Sequence, residues 1–450
     1  QREQAIEDYT QAIASNPALT GAFFDRANAY SELVQLQEAL SDYDKAIELK
    51  PDGAEYYFQR GNLRVQRGEL QGAVDDFNQA IQLNPDLERA YYNRARALAR
   101  LGVSPEQAIE DYTEAIRLAP QTSDAYYHRG NAYLMMGLSQ RAIEEYDEAL
   151  ILNPESAEVF NARGKAYSDL GSYRRGVQDY DRAILVNPSF AEAFENRGRA
   201  YHILGEPHRA IDDFEQAIWY NPLSAESFTG RASIYVDLKQ PQRAMEDCNQ
   251  ALKLDSQSSG AYYNRGNAHR ELGELERATE DYSRAIQLDP EHAMAYNNRG
   301  VVYSGLSNHE EAIKDFTGSI TFNSRDARPH NNRGFSYVRL GRLQEALADL
   351  DEAIRMQPEF APAYVNRAAA HMELRHPMRA IDDYDQAIWL DPNYVLAYYN
   401  RGTAHTNLGQ PEMAVADFDE ASRLDPEDPN IYYARGVAYA NLGQPRKAIE

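Results

Sequence analysis

Arginine recurs along this chain at a fixed interval, and an acidic residue follows it at a second fixed interval. Thirteen arginines, from Arg26 to Arg435, are separated by steps of 34 residues, with one step of 35 after Arg94. An acidic residue lies 16 residues after the first twelve of them, or 17 across the longer step. Because arginine stays charged, an arginine beside a buried helix face needs a carboxylate partner. The spacing therefore predicts a ladder of arginine–carboxylate pairs, whose central members are Arg265 with Asp281, Arg299 with Asp315 and Arg333 with Asp349.

A surface charge run with regular spacing would look the same in sequence, and exposed ion pairs add little stability. The two interpretations differ in the expected cost of removing one partner. Breaking a buried pair costs about 3–5 kcal/mol. We therefore expect Arg299→Ala to destabilise the chain severely if the ladder is buried.

Asparagine occupies the position just before the arginine in seven repeats. An amide side chain both donates and accepts hydrogen bonds, so a column of amides is suited to pairing with the backbone of an extended peptide. The alternative is that each asparagine bonds to the neighbouring repeat. The asparagine column consists of Asn93, Asn196, Asn264, Asn298, Asn332, Asn366 and Asn400.

Aromatic residues form a second column, one residue before the asparagine position. Exposed tyrosine supplies apolar contact and a hydroxyl at low entropic cost, which is common in interfaces. Packing against the adjacent repeat is the alternative. The aromatic column consists of Phe24, Phe58, Tyr92, Tyr127, Tyr263, Tyr399 and Tyr433, and we expect the core aromatics one residue earlier, at Tyr57, Tyr91, Tyr126, Tyr262, Tyr398 and Tyr432.

Pairs of amphipathic helices must position these columns. In the repeat around Arg265, residues 262, 266 and 269 and residues 278, 282 and 285 each follow the three–four spacing of one helix face. Glycine ends nine of the thirteen first helices, and proline opens six of the second helices. The additional residue of the 35-residue step falls in the turn Gly102–Pro105, where an insertion costs little.

A 34-residue period indicates one stack of repeats. We predict a single solenoid over residues 1–450, with a partial leading helix at 1–17, twelve complete repeats at 18–426 and a partial repeat at 427–450. Neither end carries a polar capping helix. We therefore expect the chain to be a segment of a longer protein, or its ends to be covered by another chain.

The motif around each arginine, YYNRGNAY…LG…A…DY…A…P, resembles the tetratricopeptide repeat over the whole chain. The resemblance implies an all-α, right-handed superhelical solenoid of antiparallel helix pairs, in which first helices line a peptide-binding groove and no catalysis occurs. Arginine replaces the leucine that the family usually has before the glycine. Asn28, Asn62, Asn131 and Asn267 match one position of the family's carboxylate clamp, but its lysine is missing, so docking of chaperone tails is disfavoured.

Composition excludes several other functions. A formal charge of −24 disfavours nucleic acid. Cys248 is the only cysteine, which fits a reducing, cytoplasmic environment, and no apolar run is long enough to predict membrane insertion. Common phosphate-binding and hydrolase motifs are absent. His371 and His405 lie one repeat apart, yet core packing is favoured over a metal pair, and we expect no cofactor.

The sequence therefore predicts a non-catalytic protein–protein interaction scaffold that binds an extended peptide of a protein partner in its groove. Asn264 to Asn400 would grip the peptide backbone, and the aromatic column would add contact area. Two alternatives stay open. The chain would otherwise be an assembly protein that stacks end to end or joins a larger complex, or the targeting domain of a larger enzyme.

Overall fold

The computed structural model of the chain describes residues 2–102 and 105–449, and α-helices dominate it. Helices make up 80% of the chain, and none of the described residues forms a strand. The predicted insertion falls on Val103 and Ser104, which lie outside the described residues. The predicted fold class, all-α with tandem pairs of antiparallel helices, is confirmed.

The chain divides into two compact units, Gln1–Leu223 and Ser224–Glu450. In the first unit, the first helices of the repeats are α2 (Thr20–Glu32), α4 (Ala54–Gln66), α6 (Glu88–Leu101), α8 (Ser123–Met135), α10 (Ala157–Asp169) and α12 (Ala191–Ile203). The second helices are α1 (Arg2–Ser15), α3 (Leu36–Leu49), α5 (Leu70–Leu83), α7 (Pro105–Leu118), α9 (Ser139–Leu152), α11 (Tyr173–Val186) and α13 (Pro207–Tyr220).

The second unit repeats this arrangement. Its first helices are α14 (Ala225–Asp237), α16 (Ser259–Glu271), α18 (Ala293–Gly305), α20 (Ala327–Arg339), α22 (Ala361–Glu373), α24 (Val395–Asn407) and α26 (Pro429–Asn441). Its second helices are α15 (Pro241–Leu254), α17 (Leu275–Leu288), α19 (His309–Phe322), α21 (Leu343–Met356), α23 (Pro377–Leu390), α25 (Pro411–Leu424) and α27 (Pro445–Ile449).

Small residues let the two helices of each repeat approach closely. In the repeat around Arg265, Ala278, Tyr282 and Ala285 of the second helix are completely buried. Gly266 on the first helix faces the Tyr282 ring, and a Cβ atom at this glycine would lie only 2.8 Å from the ring. The aromatic ring of the second helix thus packs directly against the glycine of the first helix. This contact forms the core between the two helices.

First and second helices lie on different sides of each unit. Neighbouring first helices, such as α10 and α12 or α20 and α22, approach each other within 8 Å between Cα atoms. In the described chain no two second helices come that close. Within each unit, the first helices therefore line the inner side of the stack and the second helices its outer side.

The turn after each first helix has a left-handed backbone. The nine glycines predicted to end first helices all have positive φ, between 66° and 77°. In the four remaining repeats Val34, Lys239, Ser307 and Arg375 adopt the same conformation, with φ of 57–61°. The repeat geometry thus imposes this turn even where the residue has a Cβ atom, which costs free energy.

Candidate functional site

In twelve of the thirteen first helices of the described chain, all but α26, the arginine contacts the acid of its own second helix through two nitrogens. Arg299 donates from Nε and Nη2 to the two carboxylate oxygens of Asp315 at 2.8 and 2.7 Å. Arg265 and Arg333 contact Asp281 and Asp349 in the same way, over 2.6–2.9 Å. The same contact occurs at Arg26–Asp42, Arg60–Asp76, Arg94–Asp111, Arg129–Glu145, Arg163–Asp179, Arg197–Asp213, Arg231–Asp247, Arg367–Asp383 and Arg401–Asp417.

These carboxylates are buried while the guanidinium groups are partly so. The side chain of Asp315 is 7% exposed and that of Arg299 is 17% exposed. Burial raises the pKa of the Asp315 carboxyl above its ordinary value, against the opposing effect of Arg299. At Asp349 donation from both Arg333 and His330 outweighs the effect of burial, so the pKa of that carboxyl is lowered. The expected energetic role of the ladder stays a prediction.

The third nitrogen of twelve of the arginines makes a contact that the sequence analysis did not foresee. Nη1 of Arg299 donates to Ser283 Oγ at 2.8 Å, and Ser283 belongs to the second helix of the preceding repeat. Nη1 of Arg163 likewise donates to Asp147 at 2.5 Å. The sequence contained the information needed to predict this contact, because a short side chain with an oxygen usually follows the ladder acid by two residues. Further acceptors of this kind are Thr10, Asp44, Asn78, Thr113, Asp181, Asn249, Thr317, Asp351, Asp385 and Asp419.

The asparagine column lies on the inner side of the stack, and six of its members donate to the preceding repeat. Asn298 Nδ2 donates to Tyr263 Oη at 3.1 Å and to Asn267 Oδ1 at 2.9 Å. Asn264 is 7% exposed and donates to the backbone oxygen of Thr229. The other donations run from Asn93 to Asn62, from Asn196 to Asn161, from Asn332 to Asn297 and from Asn366 to Asn331.

Asn400 is the exception in this column. Its amide is half-buried and makes no hydrogen bond to the described residues. Bonding within the stack, the alternative considered above, thus uses both N–H groups of Asn298 and one N–H of each of the other five amides. In those five, Nδ2 carries a second proton that the bond within the stack does not use. Whether the column grips a peptide stays a prediction.

The aromatic column contacts the helix core as well as the inner surface. The ring of Tyr263 lies 6.0 Å from that of Tyr282, and Phe58 is 3% exposed against Phe77. Tyr433 is 77% exposed. The corresponding ring pairs are Phe24–Tyr43, Tyr92–Tyr112, Tyr127–Tyr146 and Tyr399–Phe418, at 5.9–6.1 Å.

The residues one position earlier share the core with the aromatic column. Tyr57, Tyr126 and Tyr398 pack against buried clusters that Phe58, Tyr127 and Tyr399 also contact or join. Tyr262 is only half-buried, and its ring centroid lies 5.3 Å from the guanidinium carbon of Arg265. Tyr57 and Tyr398 take the same position at 5.5 and 5.6 Å from their arginines. Contact with the ladder arginine, which leaves part of the ring in water, accounts for this aromatic position.

Asparagine two residues after the arginine holds the hydroxyl of the core tyrosine. Tyr43, Tyr146 and Tyr282 donate to Asn28, Asn131 and Asn267 at 2.6–2.7 Å. These three asparagines, and Asn62, which accepts from Asn93, were the ones that matched a carboxylate-clamp position. Their contacts within the fold give them a structural role.

An open cavity of about 430 Å³ lies where this asparagine is replaced by Ala369. Tyr384, which is 2% exposed, reaches the cavity and makes no side-chain hydrogen bond to the described residues. Burial raises the pKa of its phenol, so the group stays a neutral hydroxyl. The lining residues are Ala369, Met372, Glu373, Arg375, Tyr384, Asn400, Thr403 and Asn407.

A comparable cavity of about 330 Å³ lies between α10 and α12, where Lys165 replaces the asparagine. Its core tyrosine and its column asparagine already have partners. Tyr180 Oη lies 3.2 Å from Ser168 Oγ, and Asn196 donates to Asn161. The cavity beside Asn400 differs in that neither its core tyrosine nor its column asparagine has a partner in the described chain.

The cysteine and the histidines that the sequence singled out lie at least partly in the packed interior. Cys248 is buried, and burial raises the pKa of its thiol to about 12. His405 Nδ1 lies 2.7 Å from Gln410, and His371 Nδ1 is buried without a hydrogen-bond partner. Over residues 2–102 and 105–449, no three His, Cys, Asp or Glu side chains are grouped as metal ligands. In the same ranges, no helix has the length and apolar character needed to cross a bilayer.

Solved structures align with this chain at low sequence identity, and the first of those that follow shares its fold. The chain aligns with the crystal structure of the APC/C hetero-tetramer Cut9–Hcn1 at 15% identity and a TM-score of 0.53, over 92% of this chain and 95% of that one. It aligns with yeast Tom70 at 19% identity and a TM-score of 0.39, over 95% and 96% of the two chains. YrrB, described as a TPR protein with an unusual peptide-binding site, aligns at 23% identity and a TM-score of 0.37, over 42% and 97%. No curated protein matches the chain.

Family models match nearly every repeat. Models described as TPR repeat match residues 61–102, 106–137, 266–307, 379–409 and 404–443. Models described as tetratricopeptide repeat match residues 1–54, 123–156, 161–218, 204–259, 293–326 and 327–360. Such repeats in general form non-catalytic scaffolds for protein–protein interaction. The chain belongs to the tetratricopeptide repeat family.

Proposed function

We propose that this scaffold binds an extended segment of a partner protein along the first helices of its second unit, centred on the cavity between α22 and α24. The observation that carries the proposal is the pair of uncommitted groups in that cavity. The hydroxyl of Tyr384 and the amide of Asn400 make no hydrogen bond to the described residues. The Tyr384 hydroxyl opens into the cavity, where a polar group of a ligand would replace water as its partner.

A peptide backbone suits these groups. Its N–H and C=O need an acceptor and a donor, and the Asn400 amide offers both. Upstream, Asn332 and Asn366 each have a second N–H beyond the one used within the stack. Each bond would contribute only about 0.5–1.5 kcal/mol, so affinity depends on several of them acting along one extended segment.

The cavity also offers a cleaner test than the rest of the asparagine column. Replacing Asn264, Asn298, Asn332 or Asn366 by alanine would remove a bond between repeats as well as any bond to a ligand. Tyr384→Phe with Asn400→Ala removes only groups that have no partner in the described chain. This double variant is therefore expected to keep the stability of the wild-type protein.

The experiment is an affinity capture from lysate of the source cell, with bound proteins identified and quantified by mass spectrometry. Three proteins would be compared: the wild-type chain, the Tyr384→Phe/Asn400→Ala variant, and a control in which the exposed outer residue Trp389 is replaced by arginine. Their thermal midpoints would first be shown to be equal. We expect a partner that the wild type and the control retain and the double variant loses. A titration of the purified partner segment then measures the loss of affinity.

Identical captures by all three proteins would overturn binding at this cavity. Recovery of the chain alone, together with a mass that grows with concentration, would favour the assembly role. Peptides of a catalytic domain encoded in the same open reading frame as this chain would favour the targeting role.

A further inference from the structure

Three successive second helices of the first unit each expose one large apolar side chain at the same repeat position. Ile151 on α9 is 70% exposed, Leu185 on α11 is 68% exposed and Trp219 on α13 is 78% exposed. Each lies 22 residues after the arginine of its repeat. We call these three residues the outer stripe.

The repeat fold does not require an apolar residue at this position. Of the nine other complete repeats, eight have a polar residue there, and only Trp389 is apolar. The polar residues are Glu48, Gln82, Arg117, Lys253, Gln287, Thr321, Arg355 and Arg423. Because the position tolerates charge, three consecutive apolar residues indicate a surface that another molecule covers.

The ion-pair ladder fixes the direction in which the outer stripe points. Asp147, one helical turn before Ile151, accepts from Arg163 of the next repeat, and Asp181, one turn before Leu185, accepts from Arg197. Residues four apart lie on the same face of a helix. The stripe therefore continues along the edge at which each second helix is joined to the first helix of the next repeat.

The stripe is bordered by carboxylates that have no ion-pair partner in the described chain. Glu148 and Glu144 precede Ile151 by one and two turns, Asp212 precedes Trp219 by two turns, and all three are exposed. One exposed cation, Arg182, lies among them, near the ring of Phe160. Other arginines of these helices, such as Arg141, lie ten or more residues before the stripe, or about 15 Å by helical rise. The border is therefore net negative.

We infer that the outer stripe docks an amphipathic helix of a partner protein whose apolar face is flanked by lysine or arginine. In the described chain, no Cα atoms of two second helices come within 8 Å of each other. These helices therefore lie farther apart than the about 8–10 Å between directly packed helices, and three of them present the stripe over more than about 20 Å. A partner helix must therefore be longer than about 14 residues to span it. Its apolar residues at intervals of about two turns, such as i, i+7 and i+14, would contact the stripe, and its cations would pair with the acidic border.

Trp219 itself reports occupancy of the stripe. In a Trp389→Arg background, which places at 389 the residue type of the neighbouring repeats, Trp219 is the only tryptophan. The probe is a synthetic 18-residue helix with leucine on one face and lysine on the other. A matched control peptide has glutamate in place of every lysine.

We expect the lysine peptide to shift Trp219 emission to the blue in a saturable manner, and the glutamate peptide to leave it unchanged. Ile151→Gln with Leu185→Gln removes apolar contact without changing charge or any described polar contact, and should weaken binding about tenfold or more. Glu144→Gln with Glu148→Gln and Asp212→Asn should weaken binding and reduce its dependence on salt. The groove variant Tyr384→Phe/Asn400→Ala should bind the lysine peptide as well as wild type, so this test is independent of the proposed groove.

Three outcomes would overturn the inference. The first is the absence of a shift with the lysine peptide, or an equal shift with the glutamate peptide. The second is unchanged affinity in the Ile151→Gln/Leu185→Gln variant. The third is a different occupant of the stripe. A concentration-dependent dimer that the Ile151→Gln/Leu185→Gln variant does not form would identify a second copy of the chain. A shift of Trp219 emission with phosphatidylcholine vesicles but not with the lysine peptide would identify lipid.

Discussion

Arg299 and Asp315, 16 residues apart in sequence, are joined by two parallel hydrogen bonds of 2.8 and 2.7 Å. The remaining nitrogen of Arg299 donates to Ser283 on the second helix of the preceding repeat. One side chain thus connects α17, α18 and α19. Because a repeat array is stabilised both within its repeats and at the interfaces between them, this arginine contributes to both terms.

Removing this arginine should destabilise the chain severely. Arg299→Ala leaves the buried carboxylate of Asp315 without its cation and Ser283 without its donor. We expect the free energy of unfolding to fall by about 3–5 kcal/mol, the usual cost of breaking a buried pair. Urea unfolding followed by far-ultraviolet circular dichroism measures the change.

Two further variants make this measurement specific. Arg325, which is exposed and forms no ion pair in the described chain, is the matched control, and Arg325→Ala should change stability by less than about 0.5 kcal/mol. Arg299→Leu combined with Asp315→Leu removes both charges and should recover most of the loss. An Arg299→Ala protein that unfolds like wild type would show that the pair is solvated.

Two glycines of α18 should respond in opposite ways to alanine. A Cβ atom at Gly300 would lie 2.7 Å from the Phe316 ring, whereas nothing lies within 4 Å of a Cβ atom at Gly305. We expect Gly300→Ala to cost about 1–3 kcal/mol through overpacking. Gly305→Ala should stabilise by about 0.4–1 kcal/mol, because it reduces the freedom of the unfolded chain. Equal unfolding midpoints for the two variants would contradict this account.

The helix pairs and the ion-pair contacts could be read from the sequence because they depend only on the period. Once Arg299 and Asp315 recur 16 residues apart on two packed helices, the contact between them follows from helix geometry. The second acceptor, Ser283, was equally regular, yet it was missed because the arginine was treated as having a single partner.

The asparagine column was harder to predict, because its contacts depend on side chains that vary from repeat to repeat. Asn298 reaches Asn267 of the preceding repeat, whereas Asn332 reaches Asn297 at a different register, and Asn400 reaches neither. Spacing places each amide on the inner side of the stack. Only the local set of neighbours decides whether its hydrogen bonds stay within the fold.

Glycine at position 34 should stabilise the first unit. Val34 has a φ of 60°, a conformation that is strained for a β-branched residue, and it is 75% exposed. Nine other repeats have glycine at this turn. Val34→Gly should raise the free energy of unfolding by about 1 kcal/mol, since the strain relieved exceeds the entropy that glycine adds. The reverse change, Gly68→Val, should lower the thermal midpoint, and a drop in both variants would show that Val34 is not strained.

His371 should make stability fall below neutral pH. Its Nδ1 atom is buried without a hydrogen-bond partner, and burial lowers its pKa, with Arg367, Arg379 and His376 acting in the same direction against Asp383. The unfolded chain then binds a proton more readily than the folded one. This contribution to stability is present above the ordinary histidine pKa of about 6.5 and is lost as pH falls from there through the lowered folded value.

Tyrosine occupies the same position two repeats earlier, at Tyr303, and in the preceding repeat, at Tyr337. His371→Tyr should therefore keep the packing and remove the titration. Between pH 7 and pH 5 the variant should lose less stability than wild type, by at most about 1.4 kcal/mol per pH unit, the slope for one proton. Urea midpoints measured from pH 8 to pH 5 test this, and above pH 7.5 the difference between the two proteins should be constant. Parallel curves over the whole range would mean that His371 binds a proton equally well in the folded and unfolded chain.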